Sequence, residues 1–133
     1  MHDDATTRQD AQLGVDRRDQ VFSVQRPWGE FREFCENEQT TVKVITVNPG
    51  QRLSLQTHRQ RAELWTVLDD APVDITVEDR TWSAQRGELI WVPLGALHRM
   101  ANSGDTPTRI LEVGFGHFDE DDIVRVQDDY ARD

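Results

Sequence analysis

A chain of 133 residues with 36% hydrophobic and 30% charged residues has enough apolar material for one domain around a single core. Its formal charge of −10 sits mainly at the ends: residues 1–20 hold five Asp against three Arg, and residues 119–133 hold seven acids against two Arg. Nucleic acid is not an expected partner, because a phosphate backbone demands a basic face, and no apolar run approaches the roughly 20 residues needed to span a membrane.

The start, MHDDATTRQD, has neither a basic n-region nor an apolar h-region, so no secretory signal is expected. Cys35 is the only cysteine; no intrachain disulfide can form, and a cytoplasmic location is expected. Residues 1–20 read as a flexible acidic arm and residues 21–133 as a single domain. Pro27, Trp28 and Gly29 form a turn-like opening. Short strand-like runs then follow at 29–35, 40–47, 53–58, 63–68, 73–78, 80–84, 88–92, 97–101 and 108–115. Turn signals separate them: NPG (48–50), RQRA (59–62), DDAP (69–72), ED (78–79), RG (86–87), PLGA (93–96) and NSGDTP (102–107). Many short strands at this spacing predict an all-β sandwich or barrel. The segment 120–132 fits either an edge strand or a short helix.

Side chains two apart on a strand point to the same face. Ser54, Gln56 and His58 therefore share one face, as do Glu63, Trp65 and Val67 on the next strand. A four-residue turn at 59–62 would set His58 beside Glu63 across a hairpin. A polar face turned inward needs partners, and a metal ion would supply one. Trp65 and Trp91 are expected in the core, Trp28 as a packing anchor and Trp82 as a partly exposed hairpin residue. Pro93 and Gly95 are expected to shape the turn before His98, and His117 to lie on the surface.

Two spaced patterns go further. Gly50 is followed by five residues, Gln56-x-His58, four residues, Glu63, and six residues to Asp70. Gly87 is followed by five residues, Pro93-x-Gly95, two residues, His98, three residues and Asn102. These resemble the two cupin motifs, with Gln56 where most cupins place His and Asp70 where they place Gly. The stretches RPWGEF (26–31), KVITVNPGQRLSLQTH (43–58), RAELW (61–65), VPLGALHRMAN (92–102), ILEV (110–113) and EDDIVR (120–125) resemble the type II mannose-6-phosphate isomerase family. That family forms the C-terminal domain of bifunctional mannose-1-phosphate guanylyltransferases. The resemblance spans roughly residues 24–131.

The resemblance implies a cupin double-stranded β-helix, a jelly-roll-like barrel with a divalent metal in its mouth. Its ligands would be Gln56, His58, Glu63 and His98. Mixed N/O donors suit Zn²⁺ foremost, with Co²⁺, Mn²⁺, Fe²⁺ or Ni²⁺ as alternatives. The implied activity interconverts mannose 6-phosphate and fructose 6-phosphate, which requires a base near an electrophile that stabilises the developing oxyanion. Lys43, Arg52, Arg61 and Arg99 are the candidate cations for the phosphate of the sugar. Arg61, Lys43 and Glu112 are the catalytic candidates, Glu112 as the base. Arg61 would share a face with Glu63 and hold the phosphate some distance from the metal. The domain is expected to stand alone, without nucleotide-sugar synthesis, and as a homodimer whose contact uses Trp28 and Phe31. Arg59 and Gln60 replace a His-rich run, Leu64 replaces a His, and Gly114 replaces a Gln. These departures open two alternatives: a metal-binding cupin with other small-molecule chemistry, or a non-catalytic sugar-binding module.

Overall fold

Strands form where β-branched and aromatic residues recur and end at Gly, Pro and Asn/Asp turns. In the computed structural model, which describes residues 14–130, the strands are β1 (Phe22–Arg26), β2 (Gly29–Glu33), β3 (Thr40–Val47), β4 (Leu55–Thr57), β5 (Arg61–Val67), β6 (Val73–Val77), β7 (Arg80–Ala84), β8 (Leu89–Val92), β9 (His98–Ala101), β10 (Thr108–Gly116) and β11 (Val124–Gln127). A four-stranded antiparallel sheet runs in the order β3-β10-β5-β8, and a five-stranded one in the order β11-β4-β9-β6-β7. β1 and β2 pair as a separate hairpin. The segment 120–132 contributes an edge strand, β11, whose only strand neighbour among the described residues is β4.

Alternation along the strands sorts the interior. On β5, Glu63, Trp65 and Val67 face the other sheet, while Ala62, Leu64 and Thr66 face away. The deep interior is filled from both sheets by Val47, Trp65, Val67, Ile90, Val92 and Ile110 on one side and Val73, Ile75, Ala84 and Met100 on the other. Each of the Val, Ile and Met side chains contributes on the order of 1.5–3 kcal/mol by leaving water. The polar residues of the same faces collect at the opposite end, so the barrel has an apolar floor and a polar mouth.

The outer face of the four-stranded sheet is also apolar. Ala62, Leu64, Trp91, Val113 and Phe115 form a second buried cluster, with Val21, Phe34 and Cys35 packed on it. This demand for cover corrects the expected arm of residues 1–20. Arg17 is fully buried, with its guanidinium carbon 4.3 Å from the centre of the Phe115 ring and Nη1 paired to Glu38. The segment from Arg17 to Val21, with a 3₁₀ turn at Arg18–Gln20, thus belongs to the body of the protein. Residues 1–13 of the expected arm lie outside the described residues.

Three further expectations change. β4 and β5 are not a hairpin but lie in opposite sheets, so residues 58–60 cross the barrel mouth. Trp28 is 73% exposed at the tip of the β1–β2 hairpin and anchors no packing. β1 was not anticipated, since Phe22–Arg26 offers only a brief alternation. Trp65 and Trp91 are buried and Trp82 is partly exposed, as expected.

Candidate metal centre

Backbone hydrogen bonds lace the two sequence motifs together. Gly50 N–H donates to the Asn102 carbonyl at 2.8 Å, and Asn102 N–H donates to the Gln51 carbonyl at 2.9 Å. Gly95, at φ 76°, turns the chain before β9, and its N–H donates to the His58 carbonyl at 2.8 Å. The Asn102 side chain is a buried knot, donating to the carbonyls of Val47 and Thr106. The motif spacing therefore builds a frame that brings distant side chains to one point.

That point holds Gln56, His58, Glu63 and His98. Gln56 and His98 are direct cross-strand partners on β4 and β9, and Glu63 reaches in from β5. Gln56 Nε2 lies 3.3 Å from His58 Nε2 and 3.5 Å from His98 Nε2. Glu63 Oε2 lies 3.7 Å from His58 Nε2, and Oε1 lies 3.8 Å from His98 Nε2. Donor atoms about 2.1 Å from one ion lie about 3.0 Å apart at right angles and about 4.2 Å apart when opposed. The two Glu63–histidine separations fall between those limits, and the ligand atoms of His58, Glu63 and His98 all lie within 4.8 Å of one another.

The surroundings fix how these donors point. His58 Nδ1 lies 2.8 Å from the Asp122 carbonyl, and His98 Nδ1 lies 3.0 Å from the Ala96 carbonyl. A carbonyl only accepts, so each Nδ1 carries the hydrogen and each Nε2 lone pair faces the centre. Burial pushes both imidazoles below their ordinary pKa, keeping them neutral and able to ligate; for His58 the hydrogen bond to Asp122 and for His98 the charge of Glu63 oppose it. Glu63 Oε1 accepts from Trp65 Nε1 and Oε2 from Arg61 Nε, both at 3.0 Å. Ser54 Oγ donates to Gln56 Oε1 at 2.6 Å.

One lone pair is oversubscribed. Arg61 Nη2 and Gln56 Nε2 both approach His58 Nε2, at 3.2 and 3.3 Å, though that nitrogen has a single pair to share. Two imidazoles, a carboxylate and an amide converge there, a donor set that suits a divalent cation, and His58, Glu63 and His98 form a cluster that could bind one.

The centre opens into a cavity of about 640 Å³. Glu112 and Lys43, on adjacent strands, line its wall, together with Phe118, Glu120, Asp121 and Arg125 from the segment after β10. Burial drives the Glu112 carboxyl up to about 8; the Glu63 charge adds to the rise, and Lys43 and Arg61 oppose it. Lys43 Nζ sits 4.2 Å from the centre of the Phe118 ring.

The other cations differ from expectation. Arg61 does share a face with Glu63 but is buried against Glu63 and His58, rather than standing away from them. Arg52 lies outside the cavity, paired to Asp129 at 2.6 Å. Arg99 follows His98 on β9 and so faces the barrel exterior, donating to the Leu53 carbonyl and Gln127 Oε1. Sequence reasoning missed Phe118, Asp122 and Arg125. The only signal near them was the EDDIVR stretch, where one acid among four neighbours has no local mark of its role.

Two facing antiparallel sheets with a His/Glu/His cluster at one end define a cupin-type double-stranded β-helix. The chain belongs to the family described as Mannose-6-phosphate isomerase C-terminal, which matches residues 14–128. It is 41% identical over 110 residues to the alginate biosynthesis protein AlgA of Pseudomonas aeruginosa and 40% identical to the mannose-1-phosphate guanylyltransferase ManC of Salmonella typhimurium. In each case 82% of this chain is matched, but only 23% of the relative, so the chain spans about a quarter of the length of these relatives. Among solved structures, it is similar in fold to a Klebsiella pneumoniae protein with a double-stranded β-helix domain (TM-score 0.58, 20% identity, 68% of this chain and 77% of that one). It is likewise similar to a cupin-superfamily sugar phosphate isomerase from Silicibacter pomeroyi (TM-score 0.56, 18% identity, 68% of each chain). Among the described residues, no helix is long and apolar enough to cross a membrane.

Proposed function

We propose that the chain is a metal-dependent isomerase that interconverts an aldose phosphate and a ketose phosphate, with mannose 6-phosphate and fructose 6-phosphate as the pair. The observation that carries this reading is Glu112. A carboxyl whose pKa lies near 8 lines the same cavity as Gln56, His58 and Glu63, the last two of which cluster with His98. Family membership supports the choice of substrate.

His58, Glu63, His98 and Gln56 would hold the ion. Turned about its amide, Gln56 would offer Oε1 inward and give Nε2 to Ser54 Oγ, which accepts as readily as it donates. When bound, the metal supplies a Lewis acid that stabilises negative charge on a substrate oxygen. The reaction moves a proton between neighbouring carbons, and a carboxyl that titrates near neutrality can take that proton at one carbon and return it at the next. Burial of Glu112 keeps bulk water from competing for the proton. Arg61 steadies Glu63 through Oε2, and Trp65 steadies it through Oε1.

A second reading has its own observation. Arg61 already neutralises Glu63 and reaches His58, which would suit a sugar-phosphate-binding module that works without an ion. A coupled assay for fructose 6-phosphate separates the two. Metal-depleted protein is supplied with mannose 6-phosphate and with Zn²⁺, Co²⁺, Mn²⁺, Fe²⁺ or Ni²⁺, one at a time. Turnover restored by at least one ion is expected; silence with all five would sink the isomerase reading.

A further inference from the structure

A phosphorylated substrate needs cations that line the cavity and are not already engaged. Arg61 is engaged with Glu63, His58 and the Asp119 carbonyl. Arg52 and Arg99 do not line the cavity and hold other partners. Lys43 and Arg125 are what remain. Lys43 rises from β3 of the four-stranded sheet, and Arg125 from β11 of the five-stranded one, so the pair comes from both sheets.

Arg125 is set in place by register. It is the cross-strand partner of Gln56, so its side chain leaves the sheet on the same face as the metal-centre residues. An irregularity then shifts the register between Arg125 and Gln127, and Gln127 pairs with Leu55 instead. Gln127 therefore turns to the outer face, where it accepts from Arg99 Nη1. Arg125 is the last residue of β11 to face inward. Its guanidinium is exposed and has no hydrogen-bond or ion-pair partner among the described residues. Lys43 Nζ likewise makes no ion pair among the described residues and rests against Phe118. Glu120 and Asp121, which also line the cavity, are exposed, so water screens their charge from these cations.

We propose that Arg125, assisted by Lys43 from the other sheet, binds the phosphate group of the substrate, with the guanidinium fork on two phosphate oxygens. This assignment rests on the sugar-phosphate reading above. The planar fork suits a phosphate monoester better than a lone ammonium does.

Calorimetric titration of the full chain tests it, with mannose 6-phosphate and mannose as ligands. Arg125→Ala is expected to weaken mannose 6-phosphate binding by roughly 10- to 150-fold while leaving mannose binding and metal content unchanged. Arg125→Lys should recover part of the loss, and Arg52→Ala should lose nothing, since Arg52 lies outside the cavity. Undiminished mannose 6-phosphate binding by Arg125→Ala overturns the assignment, as does a wild-type protein that binds mannose 6-phosphate no more tightly than mannose. Phosphate binding that depends on Arg125 in a protein without turnover upholds this assignment and removes the isomerase reading alone.

Discussion

At the residue scale, the two faces of β5 separate chemistry from support. Glu63 points into the mouth, whereas Leu64, the next residue, is buried under the N-terminal segment on the outer face. The replacement of His by Leu at this position therefore does not touch the candidate metal centre. Leu64→Ala should cost about 2–5 kcal/mol of stability and leave metal stoichiometry intact. His58→Ala and His98→Ala should each lose most bound metal, because each removes a buried donor that no neighbour can replace. Elemental analysis beside chemical denaturation reads both effects; unchanged metal in the two His variants would refute the site. Glu112 makes a pH prediction for metal-free protein. Its folded pKa of about 8 exceeds the model-compound value of 4.5, so between these values the folded state binds the extra proton. The stability this contributes is full below pH 4.5 and is lost as pH rises through 8. Glu112→Gln should therefore gain stability over wild type as pH goes from 5 to 8 in chelator. Parallel unfolding curves at the two pH values would contradict the raised pKa.

At the element scale, the segment after β10 is the keystone of the mouth. The Asp122 carboxylate accepts from the backbone N–H groups of Arg59 and Gln60, at 3.0 and 2.8 Å, and its carbonyl accepts from His58 Nδ1. One residue thus fixes the crossing between β4 and β5 and the tautomer of His58, a histidine of the candidate metal centre. This also accounts for Arg59 and Gln60: their side chains are exposed, and what matters is their backbone. Asp122→Ala should weaken metal affinity by about 10- to 100-fold without removing any ligand. Competition with a chromophoric chelator measures it, and an unchanged affinity would show that the crossing holds its shape without the cap.

At the scale of the whole molecule, the N-terminal segment covers only part of the outer sheet face. Val42 and Val44 on β3, an edge strand of the four-stranded sheet, are each 56% exposed, and Trp28 and Phe31 stand exposed on the β1–β2 hairpin. Unpaired edges and apolar surface of this kind are commonly covered by a second subunit. We predict a homodimer that buries Val42 and Val44. Light scattering should give twice the chain mass for wild type and a lower mass for the double variant Val42→Lys/Val44→Lys. A monomeric wild type across a wide concentration range would rule the contact out.

Most strand positions, the two motifs and the grouping of Gln56, His58, Glu63 and His98 were legible in the sequence, because a two-residue period and motif spacing are local properties. β3 and β7 begin and end where the turn signals set them. Which cations serve the cavity was not legible. Arg52, Arg61, Arg99 and Arg125 carry the same charge, and only register, sheet membership and the prior claims of Asp129, Glu63 and Gln127 tell them apart. Burial of Arg17 likewise depends on an outer sheet face assembled from strands far apart in the chain. Side-chain periodicity is written in neighbouring residues, whereas burial and charge pairing exist only once distant strands have met.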